Sequence, residues 1–317
     1  MGTAAVLGLC DLQMDAPPTT AYLMLGERCQ RNCAFCAQAR GSEAKENALS
    51  RVVWPPFPPQ DVLESLQHAY QEEEIGRACF QVTVSAGYLE QTAQAIEMVS
   101  RTCDIPISTS VVPRNVDDVT MFLQSGAERV TIALDAASPR VYRQVKGGTW
   151  KKTLQLLQAS AYRYPGHVGT HLIVGLGESE RDMVERIQDM VDLQVTVGLF
   201  ALTPIKGTRL ENEPPLPLSN YRRVQVARWL IATRVARSSD FCYDSEGRIR
   251  SYGPTTAALP RLLARGEAFR TAGCPDCNRP YYNERPGGIL YNYPRPLTPG
   301  EVEQALKELD VSIDGII

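Results

Sequence analysis

Along the 317-residue chain, short runs of apolar and β-branched residues alternate with longer stretches whose apolar positions recur every three or four residues. The first pattern suits strands and the second amphipathic helices. After an arm ending in Pro17-Pro18, expected to be unstructured, a strand is predicted over 21–26, followed by a loop to about Ser50. Helices are predicted over 60–73, 91–101, 116–124, 150–162 and 178–193, with Val62, Leu63, Leu66 and Ala69 carrying the period of the first. Strands are predicted between them, over 78–84, 107–112, 129–134, 171–175 and 195–202. Strands separated by helices imply parallel crossovers on one sheet. These units fall short of the eight that close a (β/α) barrel, so the expected α/β fold is a partial (β/α)6 barrel of TIM type, open at one side, with chemistry at the carboxyl ends of its strands. One more helix is predicted over 221–236, and the alternation breaks from about Ser238. The expected organisation is an N-terminal arm (1–20), the barrel (21–237) and a C-terminal extension (238–317).

Charge and composition narrow the function. A net charge of −3, with lysines and arginines spread along the chain, lacks the basic footprint of a nucleic-acid binder. The first residues have no basic segment and their apolar run is broken by Gly8 and Asp11, a poor secretion signal, and no run reaches membrane-spanning length. A cytoplasmic protein without membrane contact is expected. Nine cysteines, an odd number, then read as reduced thiols and not as a disulfide framework. Five fall in two clusters, Cys29/Cys33/Cys36 and Cys274/Cys277. Cys10, Cys79, Cys103 and Cys242 are isolated, and an isolated cysteine is by default a small buried apolar residue.

The stretch Cys29-Gln30-Arg31-Asn32-Cys33-Ala34-Phe35-Cys36 has a spacing that can wrap one face of an iron–sulfur cubane and hold three of its irons, leaving the fourth open. A structural zinc site is the other reading, but it needs four ligands, and the next Cys or His is His68, in a predicted helix. At this point the chain resembles the radical S-adenosylmethionine (SAM) enzymes, whose signature is this spacing with an aromatic residue, here Phe35, before the last cysteine. Further matches follow in order. Ser85-Ala86-Gly87, otherwise an ordinary strand-to-helix turn, falls where the family lets its backbone approach the methionine amino group. Asp135, in Leu134-Asp135-Ala136-Ala137-Ser138, matches a residue that faces the cofactor in biotin synthases; as a plain residue, it or Ser138 would cap a helix. Gly175 and Gly177, in Ile173-Val174-Gly175-Leu176-Gly177-Glu178, match glycines that admit the adenine, with Glu178 expected to cap the next helix. The run 202–211 is similar to a motif that follows the sixth strand of the same enzymes. The resemblance implies a [4Fe–4S] cluster and SAM, reductive cleavage of SAM to a 5′-deoxyadenosyl radical, and hydrogen abstraction from an unactivated carbon.

Cys274-Pro275-Asp276-Cys277 has three readings on its own: a redox dithiol, half of a zinc site, or part of a second cluster. Its Pro/Gly-rich setting is unlike a thioredoxin helix start. Sulfur-inserting members of the resembling family, the biotin and lipoyl synthases, use a second cluster as their sulfur source. Biotin synthases hold it on cysteines inside the barrel strands, and 81–85, 107–110 and 170–173 contain none; Arg250 is the candidate for the barrel arginine of that family. Lipoyl synthases hold it outside the barrel, with a serine of an Arg-Ser-Ser-Tyr segment that resembles Arg250-Ser251-Tyr252. A divergent two-protein lipoyl synthase ends in a motif that Cys277-Asn278-Arg279-Pro280 fits. The resemblance therefore implies an auxiliary cluster on Cys274 and Cys277, completed by Cys10 or Cys242, with Ser251 as the catalytic serine; the alternative is a biotin-synthase-like or other radical-SAM enzyme whose second cluster is not consumed. It also implies an octanoylated carrier protein or lysyl peptide as substrate, a second radical-SAM subunit, and a ferredoxin or flavodoxin as electron donor.

Overall fold

The computed structural model describes residues 1–284 and 287–311. Six parallel strands form one curled half-barrel sheet in sequence order: β1 (Thr20–Leu25), β2 (Arg77–Val82), β3 (Ile107–Val111), β4 (Arg129–Ile132), β5 (Val168–Val174) and β6 (Thr196–Ala201). The helices that return the chain are α1 (Pro59–Gln71), α2 (Tyr88–Thr102), α3 (Val116–Gln124), α4 (Pro139–Val145), α5 (Trp150–Arg163) and α6 (Glu180–Asp192), and α7 (Leu218–Ala232) follows β6. The expected partial barrel is therefore the fold.

Side-chain alternation along the strands separates two environments. On β2, Ala78 and Phe80 face outward into the core with Leu66 of α1 and Ile96 of α2, all 3% exposed or less. Burying a side chain such as Ile96 contributes roughly 1.5–3 kcal/mol. The intervening Arg77, Cys79 and Gln81 share the opposite face, toward the lumen. Local caps set the helix starts: Asn115 accepts from Asp118 N at 3.0 Å, and Ser179 forms a reciprocal box with Asp182.

Several elements depart from the sequence expectation. The arm holds a short helix, Gly2–Val6, with Ala4 and Leu7 buried and the Thr3 hydroxyl accepting from Tyr22 N of β1. Five residues are too few to show a period. The loop before Ser50 enters a small hairpin, Ala48–Leu49 with Val52–Val53. The helix α4, outside the helices expected from periodicity, has only seven residues and starts at the Ser138 cap with Pro139 in its first turn. Late in the extension stands a helix, Pro299–Lys307, capped by Thr298 with Glu301.

The extension is tied to α7 by buried charge. Arg223 and Glu180 pair at 2.6 Å with both side chains 3% exposed, and Glu180 also accepts from Ile249 N at 2.8 Å. Arg222 donates to the carbonyls of Leu290 and Tyr291 and pairs with Glu308. Among the described residues no helix is long and apolar enough to cross a membrane.

Candidate active site

The cysteine loop leaves the carboxyl end of β1 and is fixed from three sides. Gln30 N donates to Val84 O just past β2, Ala34 N donates to Val145 O at the end of α4, and Leu210 N donates to Ala34 O. Inside the loop, the Arg28 guanidinium donates to the carbonyls of Ser42 and Ala44, at 2.9 and 3.0 Å. The 202–211 segment closes the other side: Glu43 N donates to Gly207 O, and Arg209 donates to Asn32 O. Gly207 has φ +86°, and a Cβ there would lie 2.5 Å from Ala44 N, so the approach needs glycine.

The three thiols meet a setting that suits an iron–sulfur cluster. Val84 N donates to Cys29 Sγ at 3.4 Å. Burial pushes the Cys36 thiol up to about 12, and it raises Cys33 as well, against the pull of Lys146. Such thiols ionise when a cation compensates them, as iron does. Among the described residues, no three Cys, His, Asp or Glu side chains close on one point as a single ion requires. The thiolates of a cubane each serve a different iron and stand further apart.

The expected cofactor residues gather at this same rim. Ser85 and Gly87 follow β2 beside Cys29, and Gly87 is left-handed (φ +67°) at the start of α2. Asp135, also left-handed (φ +65°), follows β4 and forms an isolated bridge with Leu172 of β5. It pairs with Lys146 at 2.8 Å, with both side chains largely buried. Burial works against the Lys146 charge, yet Asp135 and Cys33 hold its pKa above the usual lysine range. Gly175 and Gly177, exposed and at φ +104° and +116°, continue the rim after β5. Ala86 is exposed beside Gly87. Of the two capping expectations, one resolves to one of its alternatives and the other is corrected. Ser138 caps α4 and Asp135 does not; Ser179 caps α6, while Glu178 instead accepts from Ala137 N at 2.7 Å. Burial pushes Glu178 up to about 7.

The second cysteine pair lies inside the half-barrel, not on an outer cover. Its loop is stitched to the amino ends of β1 and β2: Thr20 Oγ1 donates to Asp276 O at 2.7 Å, and Arg77 Nε to Pro275 O at 3.0 Å. The chain then climbs the lumen. Tyr22 OH contacts Cys277 Sγ at 3.5 Å and accepts from Arg279 N. The Arg279 guanidinium lies 4.4 Å over the Phe200 ring, with Nη2 3.3 Å from His171 Nε2. Asn283 donates to Ala201 O at the carboxyl end of β6. Tyr282, packed on Phe200, lies within electrostatic reach of Cys36 at the rim and of Cys79 below.

The remaining expected residues stand elsewhere. Cys242 is exposed and is the register partner of Ser251 in an antiparallel hairpin outside the half-barrel sheet; the Ser251 hydroxyl accepts from Gly253 N. Arg250, offered as the barrel arginine, is more than half exposed and pairs with Asp244. Cys10 lies after the N-terminal helix, its thiol directed at Met1 O. Sequence reasoning missed Cys79, set aside as an apolar filler, along with Tyr22, His171 and Arg279. The available signal was register parity: Arg77, Cys79 and Gln81 alternate out of the apolar face of β2.

Beside this lumen lies a largely apolar cavity of about 1080 Å³. Leu23 and Leu25 line it from one face of β1, and Tyr22 and Met24 from the other, so it wraps the free edge of that strand. Leu12, Trp54 and Phe57 form its outer wall, and Gln81, His171, Arg279 and Tyr282 its inner end.

Known proteins agree with this geometry. The chain is 23% identical to the lipoyl synthase of Haemophilus ducreyi over 64% of its own length and 62% of that protein's, and so spans less than two thirds of that relative. It is 24% identical to the biotin synthase of Clostridium acetobutylicum over 71% of its length and 68% of that protein's. Among solved structures, methylornithine synthase matches with a TM-score of 0.54 at 13% identity, over 67% of this chain and 62% of that one. The FeFe-hydrogenase maturase HydG from Carboxydothermus hydrogenoformans gives 0.52 at 16% identity, over 68% and 51%. The Radical SAM superfamily model matches residues 23–190, more than half of the chain and the whole of the rim from the cysteine loop to Gly177. With the thiol loop and its supports at the carboxyl end of a six-stranded half-barrel, the chain belongs to the Radical SAM superfamily.

Proposed function

We propose that the protein is a sulfur-inserting radical-SAM enzyme, one component of a two-protein lipoyl synthase that acts on an octanoyl chain held by a carrier protein or lysyl peptide. The observation that carries this reading is the presence of two thiol sets, at the rim and at the floor of one lumen, beside an apolar cavity that enters from the side. The rim set, with Ser85, Ala86, Gly87, Asp135, Gly175 and Gly177, would hold a [4Fe–4S] cluster and SAM; Cys274 and Cys277 would hold an auxiliary cluster. When both are loaded, each C–H replaced by C–S uses one SAM and one donor electron, the hydrogen leaving in 5′-deoxyadenosine, cluster sulfide joining carbon, and the surplus electron passing to cluster iron.

The chain's own residues then have defined tasks. Lys146 supplies positive charge beside Cys33, and Asp135 fixes it. Tyr282 and Phe200 pack on each other and line the lumen with apolar surface, which would exclude water from the reacting carbon. The cavity around the edge of β1 lets a tethered chain enter sideways, while its carrier stays outside. Its volume, near the upper end of ordinary ligand pockets at ~1,000 Å³, leaves room for an extended acyl chain. The electron donor and a second radical-SAM subunit would act from outside this chamber.

One observation favours a second reading. The tail cysteines lie inside the barrel, where the resemblance places the cluster of biotin synthases, which act on a small free substrate. The deciding experiment incubates reconstituted protein with SAM, reductant and an octanoyl-lysyl peptide, alone and with candidate second subunits, and with dethiobiotin in parallel. Gain of sulfur mass on the peptide is expected only with the second subunit. Conversion of dethiobiotin with an unchanged peptide would replace the lipoyl reading by the biotin one.

A further inference from the structure

Three thiols, not two, stand at the floor of the lumen. Cys79 shares the inward face of β2 with Arg77, whose guanidinium holds Pro275 O, and its Cα is the register partner of Tyr22, whose hydroxyl touches Cys277 Sγ. The loop that carries Cys274 and Cys277 is thereby pinned across the two strands that present Cys79 and Tyr22. Two of these sulfurs already have polar groups aimed at them: Gln81 Nε2 lies 3.0 Å from Cys79 Sγ, and Tyr22 OH lies 3.5 Å from Cys277 Sγ. A donor pointed at sulfur, as Gln81 Nε2 is, suits a thiolate better than a thiol.

Arg279 supplies the second, independent observation. A buried guanidinium is costly unless it is paired. Yet among the described residues Arg279 forms no ion pair with a carboxylate. Its neighbours are the Phe200 face and His171, whose Nε2 must accept because arginine has only donors. The Nη1 atom is sealed from solvent and has no hydrogen-bond partner among the described residues. A side chain at Gly198 would approach that atom to 3.5 Å and His171 to 3.0 Å, so the strand opposite is kept bare for the pair. A cation with an unused donor thus stands two residues after Cys277, on the loop that Tyr22 and Arg77 hold against the strand of Cys79.

We propose that Cys79, Cys274 and Cys277 together ligate the auxiliary iron–sulfur cluster, and that Arg279 lies against it as counter-charge with Nη1 donating to a cluster sulfide or thiolate. This deepens the function proposed above and rests on it for the purpose of the cluster. The ligand set draws on one barrel strand and on the tail, and it leaves Cys10, Cys242 and Ser251 outside. It also gives the tail a reason to enter the lumen, since two tail thiols alone would leave half of a cubane's irons unheld.

The test is made on the full chain, reconstituted anaerobically with iron and sulfide, with iron counted chemically and cluster type read by Mössbauer spectroscopy. Wild type should hold about eight irons per chain, and the Cys79→Ser and Cys79→Ala variants about four, all in the rim cluster. Intact SAM cleavage shows that these variants fold, and Cys103→Ser serves as a control that retains about eight. Arg279→Met should keep the rim signal and alter that of the second cluster. Eight irons in both Cys79 variants would overturn the ligand set, as would a wild type that takes zinc at the floor in place of iron. A wild type that holds both clusters, loses one with Cys79, and still inserts no sulfur would leave the ligand set standing and remove the proposed function.

Discussion

The rim and the floor of the lumen hold cysteines in opposite ways. At the rim the thiols lie within eight consecutive residues, Cys29 to Cys36, and the rest of the fold is recruited to brace their loop: Val84, Val145 and Gly207 reach it through their backbone carbonyls and Arg209 through its guanidinium. At the floor the sulfurs come from β2 and from the tail, and the tail is threaded through the half-barrel to bring them together. A local motif can be braced from outside, and that suits a cluster that must keep one iron open to SAM. A site assembled from both ends of the chain forms only once the barrel and its extension have folded, and it is closed in by them.

The comparison can be broken most sharply at the sulfurs. Replacing Cys29, Cys33 and Cys36 by alanine should lower 5′-deoxyadenosine formation by at least about a thousandfold, since no open iron is left to bind SAM. Replacing Cys274 and Cys277 should leave deoxyadenosine formation within a few-fold of wild type while abolishing sulfur transfer. Chromatography of the nucleoside and mass spectrometry of the peptide read the two outcomes in one reaction. Loss of deoxyadenosine in the second variant would join the two sites into one.

The anchoring of the tail comes next in size. Arg223→Ala leaves Glu180 buried and unpaired and should cost about 3–5 kcal/mol in denaturant unfolding. Because that pair ties α6 to α7 and to Ile249 of the extension, the floor cluster should be lost at lower denaturant than the rim cluster. The reverse effect is expected of Gly207→Ala, which presses a Cβ into Ala44 N at an unfavourable φ and should cost about 1–3 kcal/mol. Iron should then leave the rim first, as read by chelator-release kinetics.

The smallest effect concerns pH. Glu178 has a folded pKa of about 7 against 4.5 when unfolded, because burial penalises its charge. The folded state therefore holds the proton more tightly, and its contribution to stability is complete below about 4.5 and lost as pH rises through about 7. Glu178→Gln should remove that slope and be more stable than wild type at pH 8 by roughly 1–3 kcal/mol. A difference that is constant between pH 4 and pH 8 would contradict this.

The same contrast explains what could be read from the sequence. The strand and helix units follow from periodicity, and the rim was legible because each of its parts is a short segment at the end of one strand, with Gly175, Gly177 and Asp135 standing out by residue type. The floor was not legible in this way. Cys274 and Cys277 announced themselves by spacing, but Cys79 lies alone in an apolar strand, and only its lumen-facing parity with Arg77 and Gln81 distinguishes it from a core residue. Arg250 and Ser251 drew attention because they resemble a known segment, yet they occupy an outer hairpin, and it is Arg279 that the tail brings into the barrel. Helices as short as Gly2–Val6 and α4 carry too few turns for a periodic signal.

On the proposed function, one lumen would bring a radical generated at the rim to sulfur stored at the floor of the same chain. The most direct measurement reconstitutes the protein with heavy-isotope sulfide, removes free sulfide, and follows the octanoyl-lysyl peptide by mass after one turnover with SAM, reductant and the second subunit. The account predicts that heavy sulfur appears in the peptide, with sulfide lost from the floor cluster in step. Deoxyadenosine formed while the peptide gains no sulfur, or gains only light sulfur, would contradict it.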